Sequence, residues 1–162
     1  MLTIGGCNNM SNFGSIGQIQ KISPENDEEI YKAEYLRFRA YRLPTDLVDG
    51  DFSFYHMQIR NGSMIPYVLY IRGRMVAGCY VSNTYNTLFI DQLFVIPELQ
   101  ESGLKLGRLL LKYVLASKDE LGQMFQQDLE ESALESINEK STAIYKKEGY
   151  EQRGHLMVKK LR

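Results

Sequence analysis

The sequence predicts an α/β or α+β fold in which one mixed, mainly antiparallel sheet carries helices packed against it. Three observations support this. Tyr67-Val68-Leu69-Tyr70-Ile71, residues 75–81 and residues 88–96 are rich in β-branched and aromatic residues, and turn signals at Arg72-Gly73 and over residues 82–87 separate them. They read as three adjacent antiparallel strands. Apolar residues recur at helical spacing on both sides of this block, as Ile30, Ala33, Leu36, Phe38 and Tyr41 before it and Leu106, Leu110, Leu111, Val114 and Leu115 after it. The chain then closes with a strand, a helix and a strand, an alternation that builds a sheet flanked by helices.

Taken in order, residues 1–14 are polar and glycine-containing and read as an N-terminal arm before a single domain over residues 15–162. Ile16, Ile19 and Ile22 alternate loosely over residues 15–22, which predicts a first strand. Ser23-Pro24-Glu25-Asn26-Asp27-Glu28-Glu29 is a helix-start signal, and the helix it opens stops at Pro44. Residues 45–62 mix turn formers with Phe52, Phe54, Tyr55 and Met57 and predict a short helix plus loops. The stripe that begins at Leu106 predicts a helix ending near Gly122. Residues 123–133 carry no clear period. A strand around residues 133–137, a helix around 140–148 closed by Gly149, and a strand around 155–160 complete the chain.

A chain of 162 residues is long enough for one domain with a sizeable core. Its formal net charge of −1 gives no global electrostatic reason to expect nucleic acid or an anionic membrane as partner. The two cysteines, Cys7 and Cys79, form neither a disulfide framework nor a metal-binding spacing, which fits a reduced, cytoplasmic setting. The first ten residues have no basic segment followed by a long apolar one, and no later run reaches membrane-spanning length, so neither export nor membrane insertion is expected.

The stretch from Val95 to Leu111 draws attention because an apolar run stops at Pro97, crosses a polar segment with Gly103 and Gly107, and resumes as leucines. A strand that ends in a loop opening a helix offers backbone N–H groups and the positive end of the helix dipole, which favour an anion such as phosphate. On the alternative reading the same glycines serve a tight corner and nothing more. A nucleotide-hydrolase phosphate loop is excluded, because Gly103 and Gly107 lack its spacing and the following Lys-Ser/Thr.

Two segments resemble the GNAT superfamily of acyl-CoA-dependent N-acetyltransferases, and the likeness runs from Ile19 to the C-terminus. Leu93-Phe94-Val95-Ile96-Pro97 and the residues through Leu111 are similar to the family segment whose backbone amides hold the coenzyme A pyrophosphate. Asn138-Glu139-Lys140-Ser141-Thr142-Ala143-Ile144-Tyr145, followed by Gly149-Tyr150, resembles the family's Asn, small residue, aliphatic-Tyr, Gly-aromatic segment. The loop departs from the usual pattern of Gln or Arg, two residues, Gly, one residue, Gly or Ala. Counting from Pro97 selects Gln100 and Gly103 and leaves Lys105 at the final glycine. Counting back from the helix stripe selects Gly107 as the final glycine, with Ser102 and Lys105 at the earlier positions. A loop lengthened by two residues reconciles the two counts. The coenzyme loop then comprises Gln100, Ser102, Gly103, Leu104, Lys105, Leu106, Gly107 and Arg108.

The resemblance implies an acetyl-CoA cosubstrate and direct attack of a primary amine on the thioester; no metal is expected, because no His, Cys and carboxylate residues cluster at ligand spacing. Leu93, Phe94 and Val95 would supply backbone partners for the pantetheine arm and an N–H toward the thioester oxygen. Tyr145 matches the position whose phenol protonates the departing thiolate; a tyrosine is protonated at neutral pH and able to do so. Asn138 would bond the coenzyme or cap its helix. Asp91 is the candidate base, acting directly or through water, while a solvated carboxylate is its plain alternative. His56 and His155 are incidental in this reading, and the aromatic residues between positions 31 and 55 line the core and the acceptor pocket. The acceptor is a small-molecule or protein amine, and a homodimer is among the assemblies allowed. The rival reading is a noncatalytic acyl-CoA sensor or interaction module that kept the fold while its loop drifted.

Overall fold

The structure is a computed structural model that describes residues 17–136 and 138–162. The expected N-terminal arm, Cys7, Ile16 and Ile137 lie outside the described residues. The strands are β1 (Gly17–Lys21), β2 (Ile65–Ile71), β3 (Arg74–Thr84), β4 (Thr87–Val95), β5 (Glu131–Glu135), β6 (Glu151–Arg153) and β7 (Leu156–Lys160). The helices are α1 (Asp27–Ala40), α2 (Val48–Arg60), α3 (Leu106–Ala116), α4 (Lys118–Phe125) and α5 (Glu139–Lys147). The strands join in the order β1-β2-β3-β4-β5-β7-β6. Pairing is antiparallel for β1 with β2, β5 with β7 and β6 with β7, and parallel for β4 with β5, so the sheet is mixed as expected. By packing, the described residues form two units: 17–80 with Gln92–Val114, and Val81–Asp91 with Leu115–Arg162.

In the first unit, α1 starts where its sequence says it should. The Asn26 side chain accepts from Glu29 N at 3.1 Å, and Asp27, Glu28 and Glu29 fill the first turn, where negative charge complements the helix dipole. Its end is a Schellman stop, with Leu43 N donating to Phe38 O and Arg42 N to Arg39 O, and it places Arg42 in the left-handed region at φ 58°. Ile30, Ala33, Leu36 and Phe38 are buried, and so are two charges on the same helix, Glu34 and Arg37. Arg37 grips Glu34 through Nε at 3.0 Å and Nη2 at 2.9 Å, while the Tyr80 hydroxyl donates to Glu34 at 2.7 Å. Burial and the Glu34 charge hold the Tyr80 phenol well above the ordinary tyrosine range.

Residues 45–62 hold more helix than expected. A 3-10 turn at Thr45–Leu47 runs straight into α2, which spans thirteen residues. The β2–β3 hairpin turns on Arg72 and Gly73, both at positive φ, the geometry that matches the twist of the flanking strands. Gly78 is required on β3: a Cβ there would stand 2.3 Å from Phe94 Cζ, so only glycine lets that ring cross the strand. In α3, Leu106, Leu110, Leu111 and Val114 are buried, worth roughly 1.5–3 kcal/mol for each large side chain relative to exposure.

In the second unit the single helix expected to end near Gly122 is two. α3 stops at Ala116 and α4 begins at Lys118, so Gly122 lies inside α4 rather than at its end. Glycine is needed there because a Cβ would meet Gln127 O at 2.7 Å as the chain leaves the helix. The strand placed at 133–137 is β5, two residues earlier. The strand placed at 155–160 is the second arm of a hairpin, and β6 precedes it across a turn that contains His155. Ser132 and Tyr150 meet in the interior through their hydroxyls at 2.8 Å.

Candidate functional site

β4 delivers the central backbone of the site. Ile96 N donates to Val76 O at 2.9 Å, toward β3. Successive residues of an extended chain turn their N–H and C=O to opposite edges, so Leu93 and Val95 present theirs to the edge away from β3. Two side chains bond to that edge: the Tyr41 hydroxyl donates to Leu93 O at 3.4 Å and Gln100 Nε2 to Val95 O at 2.9 Å. The ladder between β4 and β5 covers Thr87, Leu88 and Phe89 and stops there. Phe94 points its ring the other way, edge-on to Tyr80 at 5.4 Å. Its neighbour Gln92 donates to the Tyr55 hydroxyl at 2.9 Å, and the Arg37 guanidinium lies 4.8 Å from the Tyr55 ring.

The loop after β4 begins with a 3-10 turn at Pro97–Leu99. Glu98 takes both carboxylate oxygens to Arg39, at 2.8 and 2.9 Å, and also accepts from Arg74 at 3.0 Å. The Arg39 bonds first, then a bond from its own backbone N–H and the Arg74 bond, hold its carboxyl down at about 2. Gln100 spends its amide hydrogens on Ala40 O and Val95 O, and its oxygen accepts from Arg42, so this side chain staples the loop to α1. Ser102 bonds back to Leu99 O at 2.9 Å. Gly103 and Lys105 both have positive φ, 84° and 54°. Leu109 N donates to Lys105 O, so helical bonding begins at Lys105, and Leu106, Gly107 and Arg108 form the first turn. The first N–H groups of an α-helix have no intrahelical carbonyl to bind. Gly107 stands over Val95, where an added Cβ would lie 3.8 Å from Val95 Cγ2, an ordinary contact. Lys105 thus shares the glycine-favoured conformation with Gly103, and it stands at a glycine position in both counts.

The remaining expected residues belong to the second unit. Asn138 caps α5, accepting from Ser141 N at 2.8 Å. The other end of α5 is a Schellman stop: Gly149 has φ 98°, Gly149 N donates to Lys146 O, and Tyr150 N donates to Tyr145 O. The half-buried Tyr145 packs edge-on against Tyr150 with centroids 6.0 Å apart, the contact that accompanies such a stop. Asp91 accepts from the Ser82 hydroxyl at 2.5 Å. Its side chain keeps exposed surface, yet desolvation of the carboxyl raises it above the usual carboxylate range, opposed by the Ser82 bond. A cavity of about 530 Å³ is lined by Ser136, Asn138, Glu139, Thr142, Ala143, Lys146 and Gln152, with Tyr145 outside the lining.

His56 is not idle: its Nε2 lies 2.7 Å from Asp27, which Arg60 also contacts at 3.1 Å, so α2 is tied to the start of α1. His155 is exposed in the β6–β7 turn. Among the described residues no group of three or more His, Cys, Asp or Glu is placed to hold a metal ion, and no helix is long and apolar enough to cross a membrane. The sequence reading missed Tyr41 at the β4 edge and the Glu34–Arg37–Tyr80 cluster. Charges at positions 34 and 37, on the stripe that carries Ile30 and Ala33, were the available signal for the cluster. Nothing local marks Tyr41.

No protein-family model and no curated protein matches the sequence. Solved structures do match in shape. The PaiA N-acetyltransferase from Thermoplasma acidophilum, in complex with coenzyme A, superposes with a TM-score of 0.60 at 16% identity over 89% of this chain and 98% of its own. The ribosomal-protein alanine N-acetyltransferase from Escherichia coli gives 0.65 at 15% identity, over 90% and 94%. AtaTR bound with AcCoA gives 0.66 at 14% identity, over 91% and 95%. At such identities the likeness concerns the path of the backbone, and by that measure the chain has the fold of the GNAT N-acetyltransferases.

Proposed function

We propose that the protein is an N-acetyltransferase that moves the acetyl group of acetyl-CoA to a primary amine by direct attack, in the cytoplasm. The observation that carries this reading is the corner between β4 and α3. Gly103 and Lys105 turn the chain through left-handed conformations and deliver it to a helix start at Leu106, Gly107 and Arg108, which suits a diphosphate. The outward edge of Leu93 and Val95 suits the amides of a pantetheine arm, with Leu93 N–H toward the thioester oxygen. The fold neighbours that hold coenzyme A or AcCoA support the choice of cosubstrate.

In this reading Tyr145 is the acid that protonates the coenzyme thiolate. Asp91 is the base that takes the proton from the amine nitrogen once the neutral amine has attacked; a carboxyl raised by desolvation holds a proton more readily than an ordinary one. Asn138 acts as the helix cap that holds α5, with any bond to the coenzyme secondary. The acceptor is a small-molecule or protein amine.

Calorimetric titration with acetyl-CoA, then a panel of amines assayed for released thiol, tests the proposal. Binding with release of thiol in the presence of an amine is the expected result. Binding without turnover across a broad panel would favour an acyl-CoA sensor, and absence of binding would end both readings.

A further inference from the structure

The outward edge of β4 carries a side chain to which the mechanism above assigns no task. Tyr41 closes α1 and donates its hydroxyl to Leu93 O across 3.4 Å, whereas O–H···O bonds ordinarily span about 2.5–3.0 Å. Its ring is braced against Phe94, with centroids 6.4 Å apart. The residue is 38% exposed, so the phenol stands at the edge rather than sealed beneath it. Desolvation keeps the phenol above the ordinary tyrosine range, hence protonated and a donor at neutral pH.

We propose that Tyr41 is a second donor to the thioester oxygen: with acetyl-CoA on the β4 edge, its hydroxyl leaves Leu93 O and bonds the acyl oxygen that Leu93 N–H also holds. This rests on the acetyl-transfer reading. The N–H and C=O of one extended residue point to the same edge, with N and O roughly 3 Å apart. An oxygen bound to Leu93 N–H therefore lies beside a phenol already bonded to Leu93 O. A bond stretched to 3.4 Å is weak and readily exchanged.

The amine lone pair forms the new N–C bond while the C=O π pair moves onto oxygen. Collapse restores C=O and breaks C–S, the pair leaving on the coenzyme sulfur. The ammonium loses its proton to the base, and the thiolate gains one from the acid. The Tyr41 O–H bond stays intact throughout and stabilises the charge on oxygen. Free coenzyme A ends in a thiol and has no thioester oxygen, so the contact distinguishes the acetylated from the free coenzyme.

The test titrates the parent and Tyr41→Phe with acetyl-CoA and with coenzyme A, and records the infrared carbonyl stretch of bound, carbonyl-labelled acetyl-CoA. Phenylalanine keeps the ring against Phe94. Tyr35→Phe, 45% exposed on the same helix, is the control. Tyr41→Phe is expected to lose about three- to tenfold in acetyl-CoA affinity, to hold coenzyme A affinity within about twofold, and to move the stretch toward its free value. An unchanged stretch and unchanged affinity ratio would overturn the role of Tyr41 and leave acetyl transfer standing. Equal losses for both ligands would also overturn it, showing that Tyr41 only holds the strand edge. A parent that binds neither ligand would remove the acetyl-transfer reading and this inference together.

Discussion

The loop between β4 and α3 and the helix α5 make opposite bargains between letters and geometry. The loop departs from the GNAT pattern in its residues, with Lys105 at a glycine position in either count, yet its backbone adopts positive φ there. The α5 segment keeps the pattern letter by letter, and each letter has a visible architectural task. Asn138 starts the helix, and Gly149 with the Tyr145–Tyr150 pair stops it. Backbone chemistry asks only for a conformation, which several residue types can reach at some cost. A side-chain motif is easier to read but serves folding and chemistry with the same atoms.

The sharpest way to break the comparison is Gly107→Glu. Glutamate in the first turn of α3 suits the helix dipole, and its Cβ meets Val95 at an ordinary distance, so the variant is expected to melt close to the parent. It should nonetheless lose most of the coenzyme A stabilisation, about 2.7 kcal/mol at a hundredfold excess over Kd. Melts with and without coenzyme A measure this, and a full ligand shift in the variant would remove phosphate from the corner.

For α5 the matching variant is Asn138→Ala. Loss of a cap costs about 1 kcal/mol, read by denaturant unfolding. Coenzyme A affinity should stay within about twofold if capping is the main task of this residue. A tenfold loss of affinity with normal stability would give Asn138 back to the coenzyme.

Smaller is the effect of acid on the loop's clamp. Glu98 is held at about 2 against an ordinary 4.5, so its contribution to stability is fully present above pH 4.5 and is lost as pH falls toward 2. The gap in melting temperature between parent and Glu98→Gln should therefore close over that window, and added salt should narrow it at neutral pH because the clamp is exposed. A gap that widens in acid would contradict the assignment.

Lys105→Gly should do least. Relief of left-handed strain, about 1–2 kcal/mol, is offset by roughly 0.4–1 kcal/mol of extra freedom in the unfolded chain. Stability should rise by no more than about 1.6 kcal/mol, and the coenzyme A shift should survive if the backbone carries the phosphate. A lost shift would move the credit to the lysine charge.

How much of this was legible followed physical lines. The central strands and the corner at Pro97 could be read because apolar periodicity and turn formers are local. β6 could not, since all three of its residues are exposed and show no alternation. The break between α3 and α4 falls at Ser117, inside a continuing apolar pattern, and α2 was shortened because residues 45–62 mix turn formers with apolar residues. Periodicity located the loop without choosing its count, and the positive φ at Lys105 falls on a glycine position in either count. The Tyr41 contact joins residues far apart in sequence, and only a folded chain brings them together.

The ion pair inside α1 has a consequence for how that helix seats on β3. Glu34 and Arg37 sit one turn apart, so the helix can assemble the pair alone. The Tyr80 hydroxyl comes from the sheet and fits a single offset. Ile30, Ala33 and Leu36 are apolar neighbours that would accept a slide of one turn, about 5.4 Å, at modest cost. The same slide would pull a desolvated carboxylate off its hydroxyl, where neither water nor another donor replaces it as cheaply. The cluster works as an indexing pin, turning a greasy surface with many near-equivalent seats into a joint with one.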